Sequence, residues 1–458
     1  MSRPRSIAWL LLSVSLQTAA LAADTAIIHA GTLLAVPGEA PGSRKSVVIA
    51  DGRIARIAEG FLAADSPGLS NGDVTVIDLS NEFVLPGLID AHVHLASSPQ
   101  PTGHMAALST EAEIKALASR HAKAALLSGF TTVVDLGMTG IPGHDRAIYA
   151  LRDAIARGAL AGPRILSAGV PISTKGHSRS ASDAEGEAAS AQALAVCSGV
   201  DDCRRAVRRQ VRNGADVVVF YNTGSLLSDK PVAQAMSGAE MQAIVDTARE
   251  LGRVSIADGH HADGVLAALD AGVDVVDSVH LYDKRVFDAI GSEQFLQSHI
   301  YGVVKAVGAS KDTLRNGLWG WLPEPILLRF LAIRSRPFAM TEAYRNGVRN
   351  LVYASDAGVY EWGDNASDLL EFVERGMTGE DAIRTATINA ARMLRLESTL
   401  GSIEPGKKAD IIAVAGSPLD DMRHMKSVRF VMRDGITFVQ PGTGNDASAS
   451  AEIDGGEP

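Results

Sequence analysis

Between residues 86 and 400 the chain alternates short apolar runs of strand character with helical segments, and it does so eight times. The strand candidates are Gly87–Ala91, Thr131–Asp135, Arg164–Ala168, Asp216–Phe220, Arg253–Ala257, Val273–Asp277, a stretch near Phe295–Val304, and Asn350–Ala354. Helix-like intervals such as Ala112–Ser128 and Gly238–Leu251 separate them. That alternation is the signature of parallel βα units. Eight of them over roughly 310 residues fit an α/β fold of the (β/α)8 TIM-barrel type with insertions, an open doubly wound sheet being the alternative. The seventh run is the least regular, and a long insertion follows it.

Both flanks of this section read differently. Thr25–His29, Thr32–Val36, Ser46–Ala50 and Arg53–Ile57 alternate as strands do, with Asp51 and Gly52 as a hairpin turn. Val74–Asp78 and Glu82–Leu85 continue the series, and Ala409–Val414 and Val428–Met432 repeat it near the other end. The expected organisation is a signal peptide at 1–23 and one small β-sandwich built from 24–85 and 401–440. The barrel occupies 86–400, and the Gly, Asn, Asp and Ser of 441–458 make a disordered tail.

Arg3 and Arg5 precede an uncharged run from Ile7 to Ala23, within which Ala20, Leu21 and Ala22 supply a small-residue cleavage signal. An uncleaved anchor is the alternative, but the run is short for a span, and no later stretch is long and apolar enough to cross a bilayer. A periplasmic or secreted protein is expected. In an oxidising compartment Cys197 and Cys203, just ahead of the helix-like run Arg204–Asn213, read as a disulfide rather than a metal pair. The 43 Lys+Arg against 53 Asp+Glu give a formal charge of −10. Loss of Arg3 and Arg5 deepens it, which argues against nucleic acid and anionic lipid as partners. A small-molecule substrate is the expected partner, and homo-oligomerisation stays open.

In a barrel, functional residues sit just past the C-terminal ends of the strands. The first strand ends in Asp90, Ala91, His92, Val93 and His94. Alternate strand residues face one way, so His92 and His94 share a face and begin a metal site. No G-x-x-x-x-G-K-[ST] phosphate loop and no convincing G-x-S-x-G elbow competes with that reading.

The run Val84–His94 resembles the first-strand motif of the amidohydrolase superfamily. Ser355–Gly358 is similar to its eighth-strand aspartate motif, and Ala386–Arg392 and Gly401–Asp410 are similar to its return into the small β-domain. Gly214–Asp216 and Thr223–Ser228 resemble the imidazolonepropionase-like and prolidase-like branch. The resemblance implies a metal-activated hydroxide attacking a C–N bond, usually with zinc, and Asp356 as metal ligand and proton shuttle. It implies as substrate an N-acyl amino acid, a dipeptide or a cyclic amide.

Three positions depart from that pattern. The resemblance implies a carboxylated lysine where this chain has Val219, and histidines where it has Asp258 and Ser278. A carbamate-bridged metal pair is therefore not expected. His260 and His280 follow Asp258 and Ser278 by two, which keeps their facing about 6–7 Å nearer the mouth if each strand runs on. The expected site is one zinc or other divalent ion on His92, His94, Asp356 and either Asp258 or His260, with His280 polarising the substrate carbonyl. His177 and Tyr221 are candidate substrate contacts, His299 and Tyr301 candidate mouth residues, and Trp319 with Trp321 a candidate lid. The competing reading is a degenerate barrel that binds without metal chemistry.

Overall fold

The computed structural model describes residues 25–69, 73–97, 110–138, 143–174, 195–228, 231–307 and 322–440. The expected signal segment, His177, the pair Trp319 and Trp321, and the expected disordered tail lie outside them.

All eight apolar runs form strands: β1 (Leu88–Val93), β2 (Phe130–Asp135), β3 (Arg164–Ser167), β4 (Val217–Tyr221), β5 (Val254–His261), β6 (Val275–Leu281), β7 (Phe295–Gln297) and β8 (Leu351–Val352). β1 to β3 pair in parallel, as do β4 to β8. Two backbone hydrogen bonds join the sets into a closed ring: Asp216 N–H donates to Ser167 O, and Ala91 N–H donates to Tyr353 O. A parallel bridge between Val93 and Ala357 completes the second seam. Between β3 and β4 two short strands, Ile172–Thr174 and Ala195–Cys197, extend the sheet from β4.

The ring is filled rather than hollow. Ile89, Ala91, Val134, Val217, Val219, Val254, Ile256, Val275, Phe295 and Val352 form one buried apolar cluster inside it. Val219 therefore packs as a core residue. The next inward positions on β4, β5, β6 and β7 are Tyr221, Asp258, Asp277 and Gln297, all buried. A polar layer thus lies on the apolar plug by the two-residue period of the strands alone.

β7 is shorter than the sequence suggests. It ends at Gln297, and Tyr301–Val307 is a helix. The cause is remote: the buried Asp368 carboxylate accepts the N–H groups of Ile300 and Tyr301 at 2.9 and 3.0 Å, which satisfies the first donors of the helix. Tyr301 consequently points away from the expected strand face, and its hydroxyl donates to Asp364.

The chain ends share one seven-stranded sheet of Thr25–Leu33, Gly42–Ala50, Arg53–Glu59, Val74–Pro86, Ile411–Val414, Val428–Arg433 and Ile436–Val439. It curls so that Arg53 bridges Lys408, and residues of both ends, among them Ile28, Ile49, Leu79, Ile411 and Phe430, enclose one core. At the foot of the barrel Arg164 clamps this sheet, donating to Asp410 at 2.9 Å and to Asp434 at 2.7 Å. Cys197 and Cys203 form a disulfide that ties a short strand to the helix Val200–Asn213. No helix among the described residues is long and apolar enough to cross a membrane.

Candidate active site

β1 carries the first two site residues, and a register irregularity decides their direction. Ile89 and Ala91 belong to the inner plug, whereas Val93 and Leu95 pack outward, and the β1–β2 register shifts between Asp90 and Val93. That bulge turns both His92 and His94 to the inside. Asp90 pins the bulge from behind. Its buried carboxylate accepts from Ser355 N, Ser355 Oγ, Asn365 Nδ2 and His92 N, and burial nonetheless pushes it up to about 6.

The third residue follows β8. Asp356 sits at φ 57°, a left-handed conformation that Asp tolerates better than most residues. Its N–H donates to His92 O, and His94 N–H donates to Ala357 O. Gly358 must be glycine: its φ is 113°, and a Cβ would stand 2.6 Å from the carbonyl oxygen of His94.

Three side-chain atoms converge. His92 Nε2 and His94 Nε2 are 3.1 Å apart, and Asp356 Oδ1 lies 3.3 Å from the first and 3.2 Å from the second. Ligand atoms about 2.0–2.1 Å from a tetrahedral ion would be about 3.3 Å from one another, and the spacing of these three atoms fits that requirement. The outer ring nitrogens are engaged as ligating imidazoles require: His94 Nδ1 donates to Gly137 O at 2.8 Å, and His92 Nδ1 is 2.7 Å from Asp277 Oδ2. The donor set of two imidazoles and a carboxylate fits a divalent ion.

The electrostatics point the same way. Burial opposes a charge on each group, but the Asp277 and Asp356 carboxylates outweigh it at His92 and hold that imidazole well above its usual range. Burial also opposes ionisation of Asp356, yet the rings of His299 and His92 hold it well below the usual carboxylate range. A cluster that calls up protons to balance one buried and one partly buried carboxylate offers the same field to a cation.

The remaining expected residues lie outside the triangle of His92, His94 and Asp356. Asp258 and His260 join neither of the two groups of metal-ligand type found among the described residues, namely His92 with His94 and Asp356, and His92 with Asp277 and His299. Asp258 ends at the polar layer, and His260 stands outside it, 3.8 Å away from Asp258. His280 packs between its histidine neighbours. Its Nε2 donates to His299 O at 3.3 Å and its Nδ1 faces His260 Nδ1 at 3.2 Å, while burial and the neighbouring His299 and His260 rings keep it neutral. The parity argument fails there because Ser278 and Val279 adopt φ 70° and 36°, which breaks strand alternation between Asp277 and His280. Tyr221 is buried at the end of β4 opposite Asp258.

Asp277 is the residue that sequence reasoning missed. The inward series Val273, Val275, Asp277 carried the signal, but the family register drew attention to Ser278. His299, two residues beyond the inward Gln297, meets Asp356 Oδ2 at 3.1 Å through Nε2.

The amidohydrolase family matches residues 83–437. Ochratoxinase of Aspergillus niger is 28% identical over 453 residues, spanning 92% of this chain and 88% of that protein. Its crystal structure superposes with a TM-score of 0.74 at 26% identity over 92% of this chain and 97% of that one. A Xaa-Pro dipeptidase crystal structure with methionine bound in its active site superposes with a TM-score of 0.80 at 31% identity, covering 91% of this chain and all of that one. The chain belongs to the amidohydrolase family and is a hydrolase acting on carbon–nitrogen bonds.

Proposed function

We propose that this hydrolase cleaves the amide bond of an N-acyl amino acid or a dipeptide with a single zinc or similar divalent ion held by His92, His94 and Asp356. The observation that carries the reading is the 3.1–3.3 Å triangle of His92 Nε2, His94 Nε2 and Asp356 Oδ1. Three protein ligands leave a fourth position open, the pattern of catalytic rather than structural zinc. When bound, the ion polarises the scissile carbonyl and makes a nucleophile available from water near neutral pH. The chain's own groups do the rest. His94 is oriented by Gly137 O, Asp356 keeps its second oxygen on His299, and the apolar plug beneath excludes solvent from below.

The resemblance to a Xaa-Pro dipeptidase and to ochratoxinase supports the substrate class, and the disulfide supports an exported protein that matures by loss of residues 1–23. The reading takes one ion rather than a carbamate-bridged pair, because Val219 packs into the plug and Ser278 lies on a kinked backbone. The test is hydrolysis of a dipeptide and N-acyl amino acid panel by purified protein, with and without chelator, alongside elemental analysis. One ion per chain and chelator-sensitive turnover are expected. Turnover that ignores the chelator, or a chain that takes up no Zn, Mn or Co, would sink the reading in favour of a metal-free binding barrel.

A further inference from the structure

We propose that Asp277 and His299 are the positioning pair of the site, Asp277 setting the ring of His92 and His299 setting the carboxylate of Asp356. The proposal rests on the ion reading above.

Asp277 is held through its carboxylate, and His299 through the backbone around it. Asp277 is fully buried; its Oδ1 accepts the Ser278 N–H at 2.6 Å, which leaves Oδ2 for His92 Nδ1 at 2.7 Å. Among the described residues both facing atoms are buried with no hydrogen-bond partner elsewhere, and the 2.7 Å ion-pair contact between them is the nearest charge compensation either one has. A carboxylate on the outer nitrogen of a ligating imidazole fixes ring angle and tautomer and raises the basicity of the inner nitrogen.

The backbone on either side of His299 is pinned at three points. Ser298 Oγ donates to Ser278 O at 2.5 Å, His280 Nε2 donates to His299 O at 3.3 Å, and Asp368 holds the next two backbone N–H groups. The kink at Ser278 and Val279 makes this grip possible, since it brings the Ser278 carbonyl and the His280 ring onto β7. A valine at φ 36° is costly backbone, and such outliers persist where the surroundings over-determine them. The product of these contacts is one imidazole whose Nε2 stands 3.1 Å from Asp356 Oδ2, so Oδ1 keeps its place in the triangle with His92 and His94.

The test measures zinc affinity and the Co(II) absorption spectrum of the full chain, with the thermal midpoint of the metal-free protein as a folding control. Asp277→Asn should weaken zinc binding about 10–100-fold and change the Co(II) bands. His299→Ala should weaken it by a similar factor. His299→Gln, whose amide nitrogen can take the place of Nε2, should recover a large part of the loss. Wild-type affinity in Asp277→Asn, or His299→Gln no better than His299→Ala in folded protein, overturns the proposal while leaving the ion reading intact. Two ions per wild-type chain falling to one in Asp277→Asn also overturns it, because Asp277 would then be a ligand. A wild-type chain that binds no ion removes the ion reading itself.

Discussion

The barrel has buried charge at both ends, and the two ends handle it differently. At the foot, Arg164 and Lys408 meet Asp410 and Asp434 in a set of pairs at 2.7–2.9 Å, and the carboxylates find their cations within the chain. At the mouth, Asp277 and Asp356 are surrounded by His92, His94 and His299, and among the described residues neither has a Lys or Arg partner. Buried carboxylates without fixed cations are costly unless something else supplies the charge. The foot is an electrostatically finished joint. The mouth is finished only by protons or by an ion, and this open balance is what separates a functional cluster from a structural one.

The sharpest way to break the comparison is to remove the mouth's ligands. His92→Ala with His94→Ala should abolish both ion uptake and turnover, read by elemental analysis and by hydrolysis of the amide panel. Unchanged metal content would show that the mouth is not the ion's place. The second effect concerns pH. His92 is held well above its usual range in the metal-free protein, so an ion must displace a proton that the imidazole otherwise keeps. Zinc affinity should therefore rise by about tenfold per pH unit for each proton displaced, up to the folded-state value of His92. Metal-free stability should run the opposite way on this account. A raised histidine contributes fully below its unfolded value of about 6.5, and the contribution fades as pH climbs through the folded value. Asp356, depressed instead, contributes above its unfolded value and loses it as pH falls toward the folded one. Zinc titrations at several pH values, with denaturant melts of the stripped protein, check both signs.

Arg164→Ala tests the foot. Removing the shared cation leaves Asp410, almost fully buried, without its guanidinium, while Asp434 keeps Lys408. A loss of about 2–4 kcal/mol in unfolding free energy is expected, between the values for exposed and for buried pairs. Zinc affinity should not move. A fall in affinity would mean the two ends are coupled and the contrast between them is false.

How much of this was legible in the sequence follows from what each feature depends on. The eight strands, the curled sheet from both chain ends, and His92, His94 and Asp356 depend on local period and on short motifs. Asp277 was legible in principle, two residues beyond Val275, but the family register pointed one residue further on. The role of His280 was not legible, because the positive φ values at Ser278 and Val279 destroy the alternation on which any parity argument rests. The end of β7 was hidden for another reason. Asp368, 68 residues beyond Ile300, decides where the next helix starts. Local pattern predicts what local forces determine, and the mouth of this barrel is set by contacts between distant strands.

The smallest effect belongs to the covalent staple. Cys197 and Cys203 are six residues apart, and closing so short a loop restrains the unfolded chain by about 2 kcal/mol on the chain-entropy account. The staple lies on the strand Ala195–Cys197, which pairs with Ile172–Thr174 and through Ile172 with Phe220 of β4. That route reaches β4 through backbone pairing at Phe220, whose side chain alternates with the inward Tyr221 of the polar layer. Cys203→Ser should therefore lower unfolding free energy by about 2 kcal/mol with zinc affinity unchanged, measured by denaturant melts and zinc titration on the same preparation. A loss of affinity would show that β4 passes strain from the insertion to the mouth, and the site would then need a third structural support beside Asp277 and His299.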